Sequence, residues 1–226
     1  MLPWKELIAQ LAHLSAVPAL IGLVCTATVI AMARDWRFGL LALLVQYILV
    51  GVLHLRVLPF ELALVRVLAG ALVCPMLYWA ARWVESERAR KAQIERQQLA
   101  EQGEVPLPPL SWPVRPTNGV FVLLAVLLLF VVLYSVSSSF PLPFIDADIA
   151  PACVWLVLIG LFILVLTSEP LPAGMGLLTM VSGFGLFFDV MAPGLVGVGV
   201  LSTLDLVMGL SISYLAIVRD VTGEVL

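Results

Sequence analysis

Long apolar runs dominate this chain, and its polar positions gather between them. Seven runs reach or approach the roughly 20 residues that a helix needs to cross a bilayer. They are residues 16–33, 38–55, 60–83, 119–138, 150–168, 171–191 and 194–218. Pro59, Pro116, Pro141, Pro151, Pro170 and Pro193 punctuate the boundaries, as befits a residue that starts helices well and continues them badly. The pattern predicts an all-α fold, a polytopic integral membrane protein of about seven transmembrane helices.

Composition strengthens that reading. The apolar share is 62% and the charged share 12%, against about 45–50% and about 25% in an average soluble domain. Mean hydropathy is +1.10. Polar surface this scarce could not cover a soluble globule of 226 residues. The net charge of −3 is small and carries no implication for nucleic acid. In the first run, "AMA" before Arg34 resembles a signal-peptidase site. Lys5 is balanced by Glu6, however, and fifteen residues precede the run, so a retained helix is expected.

Three segments follow along the chain. Residues 1–83 form an N-terminal three-helix membrane segment, 84–118 a charged and Pro-rich linker, and 119–226 a C-terminal four-helix membrane segment. The first half of the linker, "VESERARKAQIERQQLAEQG", is a good helix former and polar on nearly every face. It is expected to prolong the third helix. The second half carries Pro106, Pro108, Pro109, Pro113 and Pro116 and is expected to be extended, with Trp112 at the headgroup layer. The segment reads as a solvated linker; a docking arm for a peripheral subunit is the sharper alternative.

Lysine and arginine set the orientation. With seven spans and the N-terminus outside, the cytoplasmic side holds Arg34, Arg37, Arg82, Arg88, Arg90, Lys91, Arg96, Arg115 and Arg219, and the outer side only Lys5 and Arg56. The expected location is the cell (cytoplasmic) membrane, with the C-terminus and the 84–118 linker cytoplasmic. The segment "SSSFPLPFIDADIAP" carries Asp146 and Asp148 and no basic residue, which suits an outer loop.

The chemistry is sparse. Cys25, Cys74 and Cys153 lie in apolar runs without metal-type spacing and read as small buried hydrophobes. His13 and His54 have no ligand-spaced companion. There is no phosphate loop, nucleophile elbow or heme-attachment motif, so no catalytic centre, metal or cofactor is expected. Polar groups well inside the runs are Gln46, Arg66, Ser182, Ser202, Thr203 and Asp205, with Ser211 and Ser213 nearer an end. Glu61, Glu169 and Asp189 sit at run termini and read as interfacial carboxylates.

Arg66 and Asp205 stand apart. An ionisable group at mid-bilayer costs about 2.5–3.5 kcal/mol on insertion scales, and such groups face the bundle interior and pair. On a helix Arg66 shares a face with Leu62, Gly70 and Val73, and Asp205 with Leu201, Ser202, Met208, Gly209 and Ile212. Gly70 and Gly209 would let a neighbouring helix approach, and Ser202 is placed to hydrogen-bond the carboxylate. Both charges are expected on protein-facing surfaces, paired with each other or with a partner subunit, in a structural ion pair or a proton relay. Glycines 174, 176, 183, 185, 194, 197, 199 and 209 predict tight packing of the last two helices.

Four stretches carry a family resemblance: "LLVQYILV", "AGALVCPMLYWAAR", "LTMVSGFGLFF" and "APGLVGVGVLSTLD". In this order and spacing the chain resembles component E of the hydrogenase-4 and formate-hydrogenlyase type membrane complexes. The last three spans of that family are similar to the K-type (chain 4L) subunit of NADH-quinone oxidoreductase. The resemblance covers residues 17–83 and 119–219 and skips the linker. It implies a non-catalytic membrane subunit of an energy-converting redox complex, beside antiporter-like subunits, that contributes to proton translocation or its scaffold. Arg66 and Asp205 would then be electrostatic or proton-relay residues, with Gln46 and Ser202 as polar helpers. The family's intramembrane Glu in span six is replaced here by Val181, ahead of Ser182 and Gly183. A family Lys in span three aligns with Gly70, one turn after Arg66, and the family's acidic residue after "APxLVxxG" falls within about two positions of Asp205.

Two alternatives stay open: a purely structural subunit of the same assembly, and a small stand-alone transporter. The transporter reading calls for an internal repeat and broken helices around a midplane site, and the first spans do not recur in the later ones. Beyond the lipid bilayer and other membrane subunits, no nucleic acid and no small-molecule substrate is evident as a partner.

Overall fold

The computed structural model describes residues 16–33, 35–101, 119–139 and 149–222. Among them the chain is all-α, in seven helices: α1 (Ala16–Met32), α2 (Trp36–Val57), α3 (Phe60–Glu101), α4 (Gly119–Ser139), α5 (Ala150–Leu166), α6 (Pro170–Met191) and α7 (Leu195–Thr222). Pro170 opens α6 and Pro151 lies in the first turn of α5, and Pro59 and Pro193 stand between helices. A missing N–H costs nothing at those places. Pro75 is the exception, since it lies inside α3. The Pro-rich half of the linker with Trp112, and the segment with Asp146 and Asp148, lie outside the described residues.

Four helices, α2, α3, α6 and α7, are long and apolar enough to cross a membrane by length and composition. The apolar stretches of α1, α4 and α5 are shorter. The surface matches that composition. Large apolar side chains such as Trp79, Val165 and Val196 lie about four-fifths exposed, while Gln46, His54, Arg66, Asp189 and Asp205 are buried. A water-soluble domain distributes these classes the other way round. The inversion fits a helix bundle whose solvent is lipid.

Packing is most extensive between α5 and α6 and between α3 and α7. α2 lies against α1, α3 and α6, and α6 also touches α7 and α1. α4 meets only α5 and α1 to any extent and leaves Phe121, Leu124 and Leu128 outward. The seam between α3 and α7 follows the helical repeat. Ala63, Arg66, Val73, Leu77 and Ala80 are buried on one helix, and Val198, Asp205, Ile212 and Ala216 on the other. Close approach is what holds such seams, because lipid supplies no hydrophobic drive between helices. A methyl added at Gly209 would press on Val73 of α3, and one at Gly160 of α5 would meet the Gly176 carbonyl and the Met180 nitrogen of α6. Gly174, Gly176, Gly183 and Gly185 are likewise in packed surroundings. Gly194 and Gly199 are not: a side chain at either would enter open space, so these two contribute no packing seam.

Polar contacts define the two ends of the bundle. At one end Arg37 of α2 pairs with Glu85 of α3 at 3.1 Å. Arg88 of α3 donates to Asp220 of α7 at 2.7 Å, Lys91 donates to the Asp220 carbonyl, and Arg219 donates to the Ser168 carbonyl ahead of α6. At the other end lie the α2–α3 and α6–α7 connections. The chain therefore runs up and down, with α2 and α6 antiparallel to α3 and α7. α3 passes residue 84 without a break and carries its charged turns beyond the start of α2.

Candidate functional site: a buried charge network

Four ionisable side chains meet inside the bundle, one from each of four helices. Arg66 of α3 is the hub. Its Nε donates to Oδ2 of Asp189 on α6 at 3.1 Å, and its Nη1 donates to Oδ2 of Asp205 on α7 at 3.1 Å. His54 of α2 completes the set, with Nε2 at 3.0 Å from the same Oδ2 of Asp189 and Nδ1 at 2.8 Å from the carbonyl of Val50. Relative exposure is 6% for Arg66, 1% for His54, 0% for Asp189 and 2% for Asp205. Bulk water screens none of them.

Each position has a local cause. Arg66 and Asp205 fall on the buried seam faces of α3 and α7. His54 and Asp189 belong to the last turns of α2 and α6, so the network starts near the α2–α3 and α6–α7 connections. At about 1.5 Å per residue, Asp189 is about 3 Å from the end of α6 and Asp205 about 15 Å inside α7. The second figure is half of a hydrocarbon core about 30 Å thick. The guanidinium fits only because residue 185 is glycine: a methyl group there would overlap Nη2 of Arg66.

Several polar atoms around the network have no protein partner. They include Oδ1 of Asp189, Oδ1 of Asp205, Nη2 of Arg66, the Tyr47 hydroxyl and both amide atoms of Gln46. Beside them is a cavity of about 10 Å³ lined by Tyr47, Val50, Gly51, His54, Arg66, Ser182 and Asp205. That is room for about one water molecule, in a wall polar enough to hold it. Among the described residues, no group of three or more His, Cys, Asp and Glu side chains is placed to hold a metal ion.

No family model, curated protein or solved structure matches the chain. The site therefore stands on its own geometry. Of the residues singled out in the sequence, Arg66 and Asp205 are in direct contact, whereas Gln46 and Ser202 are buried but hydrogen-bond neither of them. The Ser202 hydroxyl has no partner at all, so the expected bond to Asp205 does not form. Gly70 receives Tyr47 of α2 against it.

Two residues of the network escaped the sequence reading. Asp189 is no interfacial carboxylate, because the network of Arg66 and His54 encloses it completely. His54, which has no companion in sequence, finds one 135 positions away. The available signal was one of charge balance. A buried arginine with a single carboxylate is already neutral, so a second carboxylate close to the run's end invites a search for a second cation.

Proposed function

We propose that this chain is a non-catalytic, seven-span membrane subunit of an energy-converting redox complex related to complex I and the group 4 hydrogenases. In that assembly its buried charge network would take part in proton translocation. The observation that carries the reading is the bridge from Asp189 through Arg66 to Asp205, with His54 on one side and a water-sized cavity on the other. Intramembrane chains of Asp, Glu and His mark proton relays in pumps and transporters, and here Arg66 holds two such carboxylates in one network. The track runs from near the helix ends to mid-depth, and Asp205 takes the place of the carboxylate that Val181 lacks. The sequence resemblance to component E supplies the family.

The orientation has support from the bundle ends. Arg37, Arg88, Lys91 and Arg219 gather at one end, which the positive-inside rule assigns to the cytoplasm. The His54–Asp189 end of the charge network then lies nearer the outer side. The extension of α3 past Arg88 would project into the cytoplasm.

One observation favours a scaffold reading. Arg66 ties α3, α6 and α7 together, as a purely structural ion cluster would. Two experiments divide the possibilities. Affinity purification from native membranes in mild detergent is expected to recover larger antiporter-like subunits, and a stable chain with no companions sinks the subunit assignment. In an intact complex, Asp205→Asn is expected to impair proton transfer; unchanged transfer leaves the scaffold.

A further inference from the structure

The two nitrogens of His54 face two oxygens that have no other means of meeting them. Nδ1 lies against the Val50 carbonyl, which only accepts, so Nδ1 carries a hydrogen. Nε2 lies 3.0 Å from Oδ2 of Asp189 in a site closed to water. A neutral ring already protonated on Nδ1 would present a lone pair there, and an ionised Asp189 would present another. Two lone pairs do not make a contact of that length in a buried site. A hydrogen must lie between them, on Nε2 as an imidazolium or on Oδ2 as a carboxylic acid. Either way the pair holds one proton more than a neutral imidazole and an ionised carboxylate.

The charge count agrees. Arg66 keeps its proton under all ordinary conditions. With Asp189 and Asp205 ionised and His54 neutral, the network carries one net negative charge in a low-dielectric interior, where an uncompensated charge is expensive. One proton makes the sum zero. The helices packed on α2 bring the following groups toward His54. α3 presents Arg66, α6 presents Asp189, and Asp205 of α7 is held through Arg66. On α2 itself Tyr47 lines the same cavity, and Arg56 is half-buried near the helix end. α1 carries Cys25 alone among titratable residues, and that side chain is exposed. Glu61 at the start of α3 is also exposed, and Cys74 is buried further along that helix.

We propose that the His54–Asp189 pair is a binding site for one exchangeable proton, placed at the outer-connection end of the bundle and linked through Arg66 to Asp205 at mid-depth. The ligand is the proton itself, received as hydronium or through ordered water. Removing it would leave two lone pairs opposed, so Nε2 and Oδ2 would separate, and Asp189 would lean wholly on Arg66. Binding and release thereby alter how Arg66 divides itself between its two carboxylates. This goes beyond the subunit assignment and does not need it, since a chain without partners could still hold the proton.

The sequence makes the test clean, because His13 and His54 are its two histidines. In the full-length His13→Gln chain, labelled with ¹⁵N-histidine and reconstituted in lipid nanodiscs near neutral pH, both ring nitrogens observed belong to His54. The expected result is hydrogen on both nitrogens, or hydrogen on Nδ1 alone together with an infrared carboxylic-acid band that Asp189→Asn removes. A bare Nε2 with no such band overturns the proposal. On raising the pH, that marker is expected to disappear with release of one proton per chain, read by an indicator dye. A marker that persists until the chain unfolds makes the proton structural and overturns its exchange. If Asp189→Asn does not fold, Glu substituted at 189 shifts the acid band in place of removing it, and the nitrogen spectra of the His13→Gln chain decide on their own.

Discussion

Arg66 and Asp189 are 123 positions apart in the chain, yet Nε of one donates to Oδ2 of the other at 3.1 Å in a site with almost no exposure. The arginine reaches Asp205 with its next nitrogen at the same distance. One side chain thus hydrogen-bonds two carboxylates on two helices. Arg66→Ala would leave Asp205 buried without a cation and Asp189 with His54 alone. Breaking a buried ion pair by removing one partner costs about 3–5 kcal/mol, and thermal unfolding in detergent should register a loss of that order. Arg66→Lys keeps the charge but has one nitrogen for two oxygens, so it should recover only part of the loss. The double change Arg66→Met with Asp205→Asn should cost less than the two single changes added together, because the orphaned charge is removed along with its partner.

Glycine positions that differ only in surroundings offer a sharper contrast. Gly185→Ala places a methyl group in the space of the Arg66 guanidinium, and Gly160→Ala drives one into the backbone of α6. Overpacking of this kind costs about 1–3 kcal/mol, with Gly160 toward the upper end because backbone cannot rotate away. Gly199→Ala enters open space and should be neutral or stabilising by up to about 1 kcal/mol through helix propensity. Melting temperatures should be lowest for Gly160→Ala, intermediate for Gly185→Ala and highest for Gly199→Ala, and a destabilised Gly199→Ala would mean that another surface covers α7 there.

The Tyr47 hydroxyl is buried with no protein partner and lines the water-sized cavity. Removing a buried hydroxyl that has no hydrogen-bond partner relieves its desolvation cost. Tyr47→Phe should therefore leave the melting temperature unchanged or slightly raised. If the chain serves in the proposed complex and water in that cavity carries protons, the same variant slows proton transfer there. Equal rates in wild type and variant would exclude that water from the transfer.

The contacts at the opposite end should matter far less. Arg88 is 41% exposed where it meets Asp220, and Arg37 is 67% exposed where it meets Glu85. Exposed pairs contribute about 0.2–1 kcal/mol and are screened by salt. Glu85→Ala should lower stability by no more than that, with the difference shrinking as salt is raised, whereas Asp220, whose side chain is only 10% exposed, should cost more on change to Ala and respond less to salt. A loss matching that of Arg66→Ala would show that the extended turns of α3 hold the bundle together.

Apolar runs and prolines were enough to mark out the seven helices among the described residues, because a helix in lipid must satisfy its backbone within itself and carry a continuous apolar surface. The runs 60–83 and 194–218 correspond to α3 and α7, with the charged turns after residue 83 continuing α3 as their helix-forming residues predict. Arg66 and Asp205 stood out for the same reason, since a charge inside such a run is conspicuous without any knowledge of the fold. Asp189 and His54 were not legible in this way. Each lies within a turn of a helix end, where sequence cannot separate a side chain in water from one folded under a neighbour. Only the crossing of α2, α3, α6 and α7 decided that both point inward and that His54 and Arg66 meet at Oδ2 of Asp189. Ser202 marks the opposite limit: the right face and spacing placed it beside Asp205, but no hydrogen bond forms. Helical periodicity assigns a residue to a face, and the distances that turn a face into a site come from how neighbouring helices close on it.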